Sequence, residues 1–280
     1  LAEVPPVPLT LEGASVLHQM FRFDRKAWRK AGAADRDRIA RSAASVLQQI
    51  QHGKAADSPC RSAFYSLIGH KGDLMLIHFR ESPEALNRVE LALAQTELSD
   101  FLEPKYSYVS VVELGLYEST AKTYATLSAE GLAAHTPEWN SAVEEVLRRQ
   151  TEAMSPRLHP AVPEAKYLCF YPMDRKRGEH VNWYTVPLED RQRMMHDHGM
   201  IGRRYGGQVR QIISGSIGWD DWEWGVDLFA DDPVVFKKLI YEMRFDEASS
   251  LYALFGPFYL GVRLPVDHLG RWLDGLLESN

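Results

Sequence analysis

Two strings in this chain recur at one fixed distance. Phe79-Arg80-Glu81-Ser82-Pro83 and Phe229-Ala230-Asp231-Asp232-Pro233 stand 150 residues apart, and residues 106–114 and 256–264 keep the same offset. The first pair joins an apolar strand-like run to a helix start. The second pair is a strand-like run that closes a unit. Equal spacing across a helix and a strand is what a duplicated βαββ-type unit gives. The pattern predicts an α+β fold with two ferredoxin-like repeats forming a dimeric α+β barrel, both repeats supplied by one chain. The N-terminal ferredoxin-like half is placed at residues 1–125, a connecting segment at 126–165 and the C-terminal half at 166–280. The polar character of the connection begins near residue 117.

Local signals fill in the two units. Residues 1–12 are proline-rich and read as an extended arm, and residues 16–23 as a strand. Residues 31–52 carry Ile39, Ala43, Val46, Leu47 and Ile50 on one helical face. Residues 64–68 and 73–79 read as strands joined by a glycine-containing turn. Ser82-Pro83-Glu84 supplies a hydroxyl cap, a proline at the first helical position and an acid, so a helix is expected from there to about residue 102. In the connection a helix is expected from Glu138 to about Met154. In the second unit, residues 168–171 read as a strand, and 189–200 as a helix ended near Gly199. Residues 209–216 and 222–229 read as strands. Asp232-Pro233 opens a helix.

Bulk properties narrow the function classes. The 280 residues are 45% hydrophobic and 25% charged, which suits a globular chain with a full core. A net charge of −6 and a pI near 6.0 speak against a nucleic-acid binder, though not against a local basic pocket. The two cysteines, Cys60 and Cys169, form no CxxC and no metal-ligand spacing. No apolar run reaches membrane-span length, and Leu1-Ala2-Glu3-Val4-Pro5-Pro6 has no signal-peptide pattern, so a cytoplasmic protein is expected. There is no P-loop, GxGxxG, HExxH or GxSxG.

Three features stand out as candidate chemistry. His198 has Met194 and Met195 four and three residues earlier on one helical face, a soft apolar wall suited to the proximal side of a haem. His196 lies about 200° round the helix and cannot share that pocket. Tyr171 ends an apolar strand; it reads either as core or as a phenol able to supply an electron and a proton. Arg175-Lys176-Arg177 reads either as a solvated charge run or as a pocket for carboxylates, which guanidinium groups grip in a two-pronged geometry. Arg157 and Arg244 are further cations of that kind. Trp219, Trp222 and Trp224 alternate with acids as strand residues would.

The C-terminal third then resembles one family. The strings are Tyr171-Pro172-Met173, Asn182-Trp183-Tyr184, His198-Gly199-Met200-Ile201-Gly202-Arg203, Gln211-Ile212-Ile213-Ser214-Gly215-Ser216-Ile217-Gly218, Asp220-Asp221-Trp222-Glu223-Trp224-Gly225 and Tyr241-Glu242-Met243-Arg244-Phe245-Asp246-Glu247. In this order they resemble the coproheme decarboxylases of the chlorite-dismutase-like superfamily. The N-terminal half matches more loosely, chiefly through residues 106–114. The resemblance implies a homopentamer of α+β barrels with iron porphyrin in the C-terminal half of each subunit. Its substrate would be Fe-coproporphyrin III (coproheme), also the redox centre. Hydrogen peroxide would be the oxidant, haem b the product, and a ferrochelatase a transient partner.

By the same resemblance, His198 would be a neutral proximal ligand to the metal. Tyr171 would become the radical that takes hydrogen from a propionate β-carbon. Gln211 would sit on the distal side, where chlorite dismutases carry an arginine. Arg157, Arg175 and Ser249 would hold propionates, with Arg244 a further candidate. Met173 and Trp183 would line the pocket. The chain departs from the family at Arg175, where a lysine is usual; Lys176 could substitute. The alternatives are chlorite or peroxide chemistry on the same fold, and a non-catalytic haem-binding or transfer protein.

Overall fold

The computed structural model describes residues 5–52 and 61–276. Residues 1–4 of the expected arm and Cys60 lie outside the described residues. The elements of the first half are β1 (Thr10–Phe23), α1 (Arg25–Lys30), α2 (Ala33–His52), β2 (Ser62–Ile68), β3 (Leu74–Arg80), α3 (Pro83–Ala94) and β4 (Leu102–Gly115). Next come α4 (Tyr117–Ala129) and α5 (Pro137–Leu158). The second half holds β5 (Tyr167–Arg175), α6 (Leu188–Arg204), β6 (Arg210–Gly215), β7 (Trp224–Ala230) and α7 (Val234–Met243), followed by α8 (Glu247–Tyr252), β8 (Ala253–Phe255), β9 (Tyr259–Arg263) and α9 (Leu269–Leu273).

The strands of the first half lie in the order β4-β1-β3-β2, and those of the second in the equivalent order β6-β7-β5-β9. Both are the ferredoxin-like order. β4 pairs antiparallel with β6 through Val111–Gly215 and Val112–Ser214, and β2 pairs with β9 from Tyr65–Arg263 to Ile68–Leu260. These two junctions turn the sheets into one closed barrel, which leaves the joined strands without free edges.

Alternation along the strands separates inside from outside. Val16, Met20, Ile77, Phe79, Tyr108, Phe170, Ile212 and Phe229 fill the barrel interior. The helices cover the outer face. α2 and α3 seal the first half over Phe64, Leu74 and Leu76. α6 and α7 lie over Cys169, Tyr171, Val226 and Leu228 in the second half.

A polar contact crosses the apolar interior. His18 of β1 donates from Nε2 to Asp227 Oδ1 of β7 at 2.9 Å, with both side chains almost wholly buried. The imidazole stacks on Phe170 at 3.9 Å and meets Tyr108 at 6.0 Å between ring centroids. His18 Nδ1 and Asp227 Oδ2 have no partner among the described residues. Gly225 leaves room for this packing, since a Cβ there would stand 2.6 Å from the Tyr108 ring.

Several expectations need correction. The helix opened by Ser82 ends at Ala94; a 3-10 turn, Glu97–Phe101, follows, and Leu102 already belongs to β4. The connection holds a helix before the expected one, α4, whose amphipathicity is weak because it buries only Thr120, Tyr124 and Leu127. α6 continues through Gly199 to Arg204, because Ile201 and Tyr205 pack down on the outer-face cluster and outweigh the glycine's poor helix propensity. The strand expected at residues 222–229 starts at Trp224, and Trp219 lies exposed in the turn before it.

Removing one partner of a buried pair leaves the other desolvated and unsatisfied. Asp227→Ala should therefore lower unfolding stability by about 3–5 kcal/mol in urea denaturation. A loss below about 1 kcal/mol, the worth of an exposed pair, would show that this contact does not hold the two halves.

Candidate functional site

His198 sits inside α6, not at its end. Its Nδ1–H donates to Asp246 Oδ2 at 2.9 Å, and Ser249 Oγ lies 3.4 Å from the same nitrogen. Asp246 is held in turn as the N-cap of α8. Its Oδ1 accepts from Ser249 N at 2.8 Å and its Oδ2 from Ser249 Oγ at 3.1 Å. Burial opposes the Asp246 charge, but the bonds from His198 and Ser249 outweigh it and hold the carboxyl below its usual value. With Nδ1 committed, the Nε2 lone pair is left to accept a proton or bind a metal. The implied neutral ligand is thus backed by a carboxylate, which makes it a stronger donor. Ser249, expected at a propionate, is buried behind the histidine and committed to Asp246.

No cluster of three or more His, Cys, Asp or Glu side chains among the described residues could hold a metal ion. A porphyrin would bring its own ring nitrogens to a metal at His198. His196 is exposed and plays no part in this arrangement.

Tyr171 and Met173 lie on the outer face of β5. Tyr171 is 4% exposed; its ring stacks on Phe258 at 4.6 Å and meets Phe255 at 5.7 Å. Its hydroxyl has no hydrogen-bond partner among the described residues. Burial, aided by Cys169, pushes the phenol above its ordinary value, against the opposing charges of Arg244 and Arg175. Tyr171 therefore keeps its proton. Cys169 itself is a buried free thiol whose value burial pushes up to about 12, so it is no nucleophile.

Arg244 follows α7 and places its guanidinium 3.8 Å over the Phe255 ring, so it borders Tyr171 on one side. Asp246, two residues on, reaches His198. Strand pairing aligns Cys169, Leu228 and Gln211 across β5, β7 and β6. Gln211 therefore shares the outer face with Tyr171, about 12 Å away across two strand spacings and two residues along. Gln211 is exposed.

Arg175 is not on a solvated face. It is buried at the end of β5, donates from Nη1 to Ala248 O at 2.9 Å, meets Met195 Sδ at 3.3 Å and covers the Trp183 ring at 4.5 Å. Its backbone N–H donates to Glu223 Oε2 at 2.7 Å. No carboxylate contacts the guanidinium among the described residues, and burial lowers its affinity for the proton. Trp183 does not line open space: it is 2% exposed and wedged against Arg175 and Tyr252.

Lys176 is half-buried on a cleft of about 630 Å³ with Asp174, Arg175, Arg177, Gly178, Glu179, His180, Val181 and Leu254. Arg157 stands exposed in the last turn of α5, a helix that packs mainly on β1, α4 and β4, away from the other candidates. A second cleft, about 750 Å³, opens between the end of α2 and residues 164–166 and is lined by none of the candidates.

The structure brings together His198, Ser249, Tyr171, Met173, Arg175, Trp183, Arg244 and, at the margin, Gln211 and Lys176. Arg157 is apart. Sequence reasoning missed Asp246 and Glu223. Asp246 carried one signal, a helix-capping position three residues before Ser249.

Known proteins share this architecture. A family model described as chlorite dismutase matches residues 36–264. A solved structure described as a novel heme-binding protein from Thermus thermophilus is 36% identical, with 97% of this chain and 99% of that one covered and a TM-score of 0.82. A mutant chlorite dismutase from Candidatus Nitrospira defluvii is 16% identical over 94% of this chain and 96% of that one, with a TM-score of 0.69. A second mutant of that enzyme, in complex with cyanide, is 16% identical over 94% and 95%, with a TM-score of 0.68. These last two likenesses concern the fold. Among the described residues no helix is long and apolar enough to cross a membrane.

Removing the partner of a metal-ligating histidine usually weakens binding by about 10–100-fold. Asp246→Ala should do so for ferric porphyrin in a Soret titration, with loss of the α8 cap besides. Unchanged affinity would separate Asp246 from the ligand role of His198. In the folded protein the Asp246 carboxylate should persist below the ordinary Asp range, and its contribution to stability should be lost as pH falls through that lowered value.

Proposed function

The chain belongs to the chlorite dismutase family, and within it we propose that it is a coproheme decarboxylase. It oxidatively removes two propionate carboxyl groups from Fe-coproporphyrin III to give haem b. Each step balances as propionate plus hydrogen peroxide plus a proton giving vinyl, carbon dioxide and two waters. The observation that carries the reading is the Arg175 guanidinium, buried beside Tyr171's strand end with no carboxylate against it. Asp246 and Glu223 act on this buried cation only from a distance, so it stays costly, and an anionic ligand in contact with it lowers that cost.

The bound iron porphyrin is both substrate and redox centre, and with peroxide it supplies the oxidising equivalents. His198 holds the iron through Nε2, and Asp246 fixes the ring and its tautomer. Arg175 grips one propionate, with Trp183, Ala248 and Met195 fixing the fork. Arg244 and Lys176 supply further positive charge, while Arg157, which the fold sets apart, takes no part in this pocket. Tyr171 is protonated, buried and free at its oxygen, so it can lose a hydrogen atom and take one from a propionate β-carbon. Met173 and the aromatic rings of Phe255 and Phe258 keep water from it. Gln211 would offer a bound porphyrin a neutral amide on the face it shares with Tyr171, without the fixed positive charge that chlorite chemistry is expected to use. A homopentamer, a cytoplasmic setting and supply by a ferrochelatase complete the proposal.

Apoprotein loaded with ferric coproporphyrin III and given peroxide stepwise should lose two carboxyl groups in sequence and end at haem b by mass spectrometry. Tyr171→Phe should bind the porphyrin as before yet yield almost no vinyl product. Binding without mass loss would favour a haem carrier, and oxygen release from chlorite would favour dismutase chemistry. His198→Ala should shift the Soret band; an unchanged spectrum would remove it as the ligand.

A further inference from the structure

Glu113 enters no expectation above, yet it faces the same side of the sheet as the site. It lies on the outer face of β4, beside the β6 junction, and its Oε1 accepts from Trp224 Nε1 at 3.4 Å. Trp224 pairs with Met173 on β5 and with Gly215 on β6. Gly215 is cut away for this carboxyl: a Cβ there would stand 2.1 Å from Glu113 Oε2. Across the β1–β4 pair Glu113 stands directly opposite Glu12, a second acid. Tyr117, at the start of α4, lies within electrostatic reach of Glu113, Arg175 and Arg191. It connects the carboxyl to the Arg175 cluster, where its ring meets Trp183 at 6.5 Å.

We propose that Glu113 acts as a carboxylic-acid O–H donor to a carboxylate of the bound ligand. The inference rests on the reading of that ligand as a porphyrin carrying several propionates. An ionised glutamate on this face would repel such a substrate. A protonated one gives it a charge-assisted hydrogen bond, and retention of the proton here has physical causes. Burial raises the Glu113 carboxyl above its ordinary value, more strongly than the Trp224 N–H lowers it, and Glu12 adds repulsion. No cation is among the groups that act on it. The neutral acid therefore persists above the usual glutamate range. The donor is lost as pH rises through the raised value.

Two measurements test this. In the apoprotein, the infrared carboxylic-acid band should include a component that persists above the normal glutamate range and is absent from Glu113→Gln. Its absence from the wild type would overturn the inference. For the ligand, ferric coproporphyrin III should bind the wild type progressively less well as pH rises through the raised value, while Glu113→Gln, which keeps an N–H donor, should lack that dependence. Below the raised value, where the acid keeps its proton, Glu113→Ala should lose about tenfold or more in affinity, the scale of a hydrogen bond to a charged group. Glu12, Tyr117, His198 and the porphyrin's own carboxyls are common to every variant, so the comparison isolates Glu113. Identical pH profiles with intact binding would overturn this inference alone. Failure of the wild type to bind coproporphyrin at any pH would instead overturn the proposed function, and with it the ligand assigned to Glu113.

Discussion

Closure of the barrel is the constraint on which the rest depends. Two short antiparallel junctions, β4 with β6 and β2 with β9, join the halves, and the His18–Asp227 contact ties β1 to β7 across the interior. Because the interior is packed with Phe170, Tyr108, Ile212 and Phe229, each strand of the second half has a fixed inner and outer side. Tyr171, Met173, Gln211 and Trp224 are thereby fixed to one outer face. A register slip of one residue would turn Tyr171 into the core and Phe170 out of it.

Burial then sets the chemistry of that face. It works in opposite senses on different groups: it raises the Tyr171 phenol and the Glu113 carboxyl above their ordinary values and weakens the hold of Arg175 on its proton. Asp246 is the exception, because hydrogen bonds from His198 and Ser249 outweigh its burial and keep it ionised. The result is a surface with one imidazole nitrogen left to accept, one phenol that keeps its hydrogen and one cation with no carboxylate in contact. That combination suits a ligand that brings both a metal and carboxylates. The glutamine on the same face adds no fixed charge of its own.

Much of this was legible in the chain. The 150-residue offset held because both halves use the same strand–helix–strand order, and the strings around Tyr171, His198 and Gln211 come from elements that the fold gathers on one side of the sheet. What was not legible depends on tertiary packing. Gly199 looked like a helix end, but Ile201 and Tyr205 bury against the sheet and carry α6 onward. Arg175 read either as part of a solvated charge run or as a pocket cation, and only Trp183 and Ala248 closing over it take it out of solvent. Ser249 looked like a ligand contact, but the turn that caps α8 commits it to Asp246 and His198. Glu113 lay in a strand of the other half, and only the β4–β6 junction brings it to the site.

The most direct test of the account is a crystal structure of the protein with ferric coproporphyrin III bound. The account predicts iron on His198 Nε2, with Nδ1 still on Asp246, and a propionate carboxylate on the Arg175 guanidinium with its β-carbon beside Tyr171. A porphyrin ligated through another residue, or bound with all its propionates in solvent away from Arg175 and Tyr171, would contradict it.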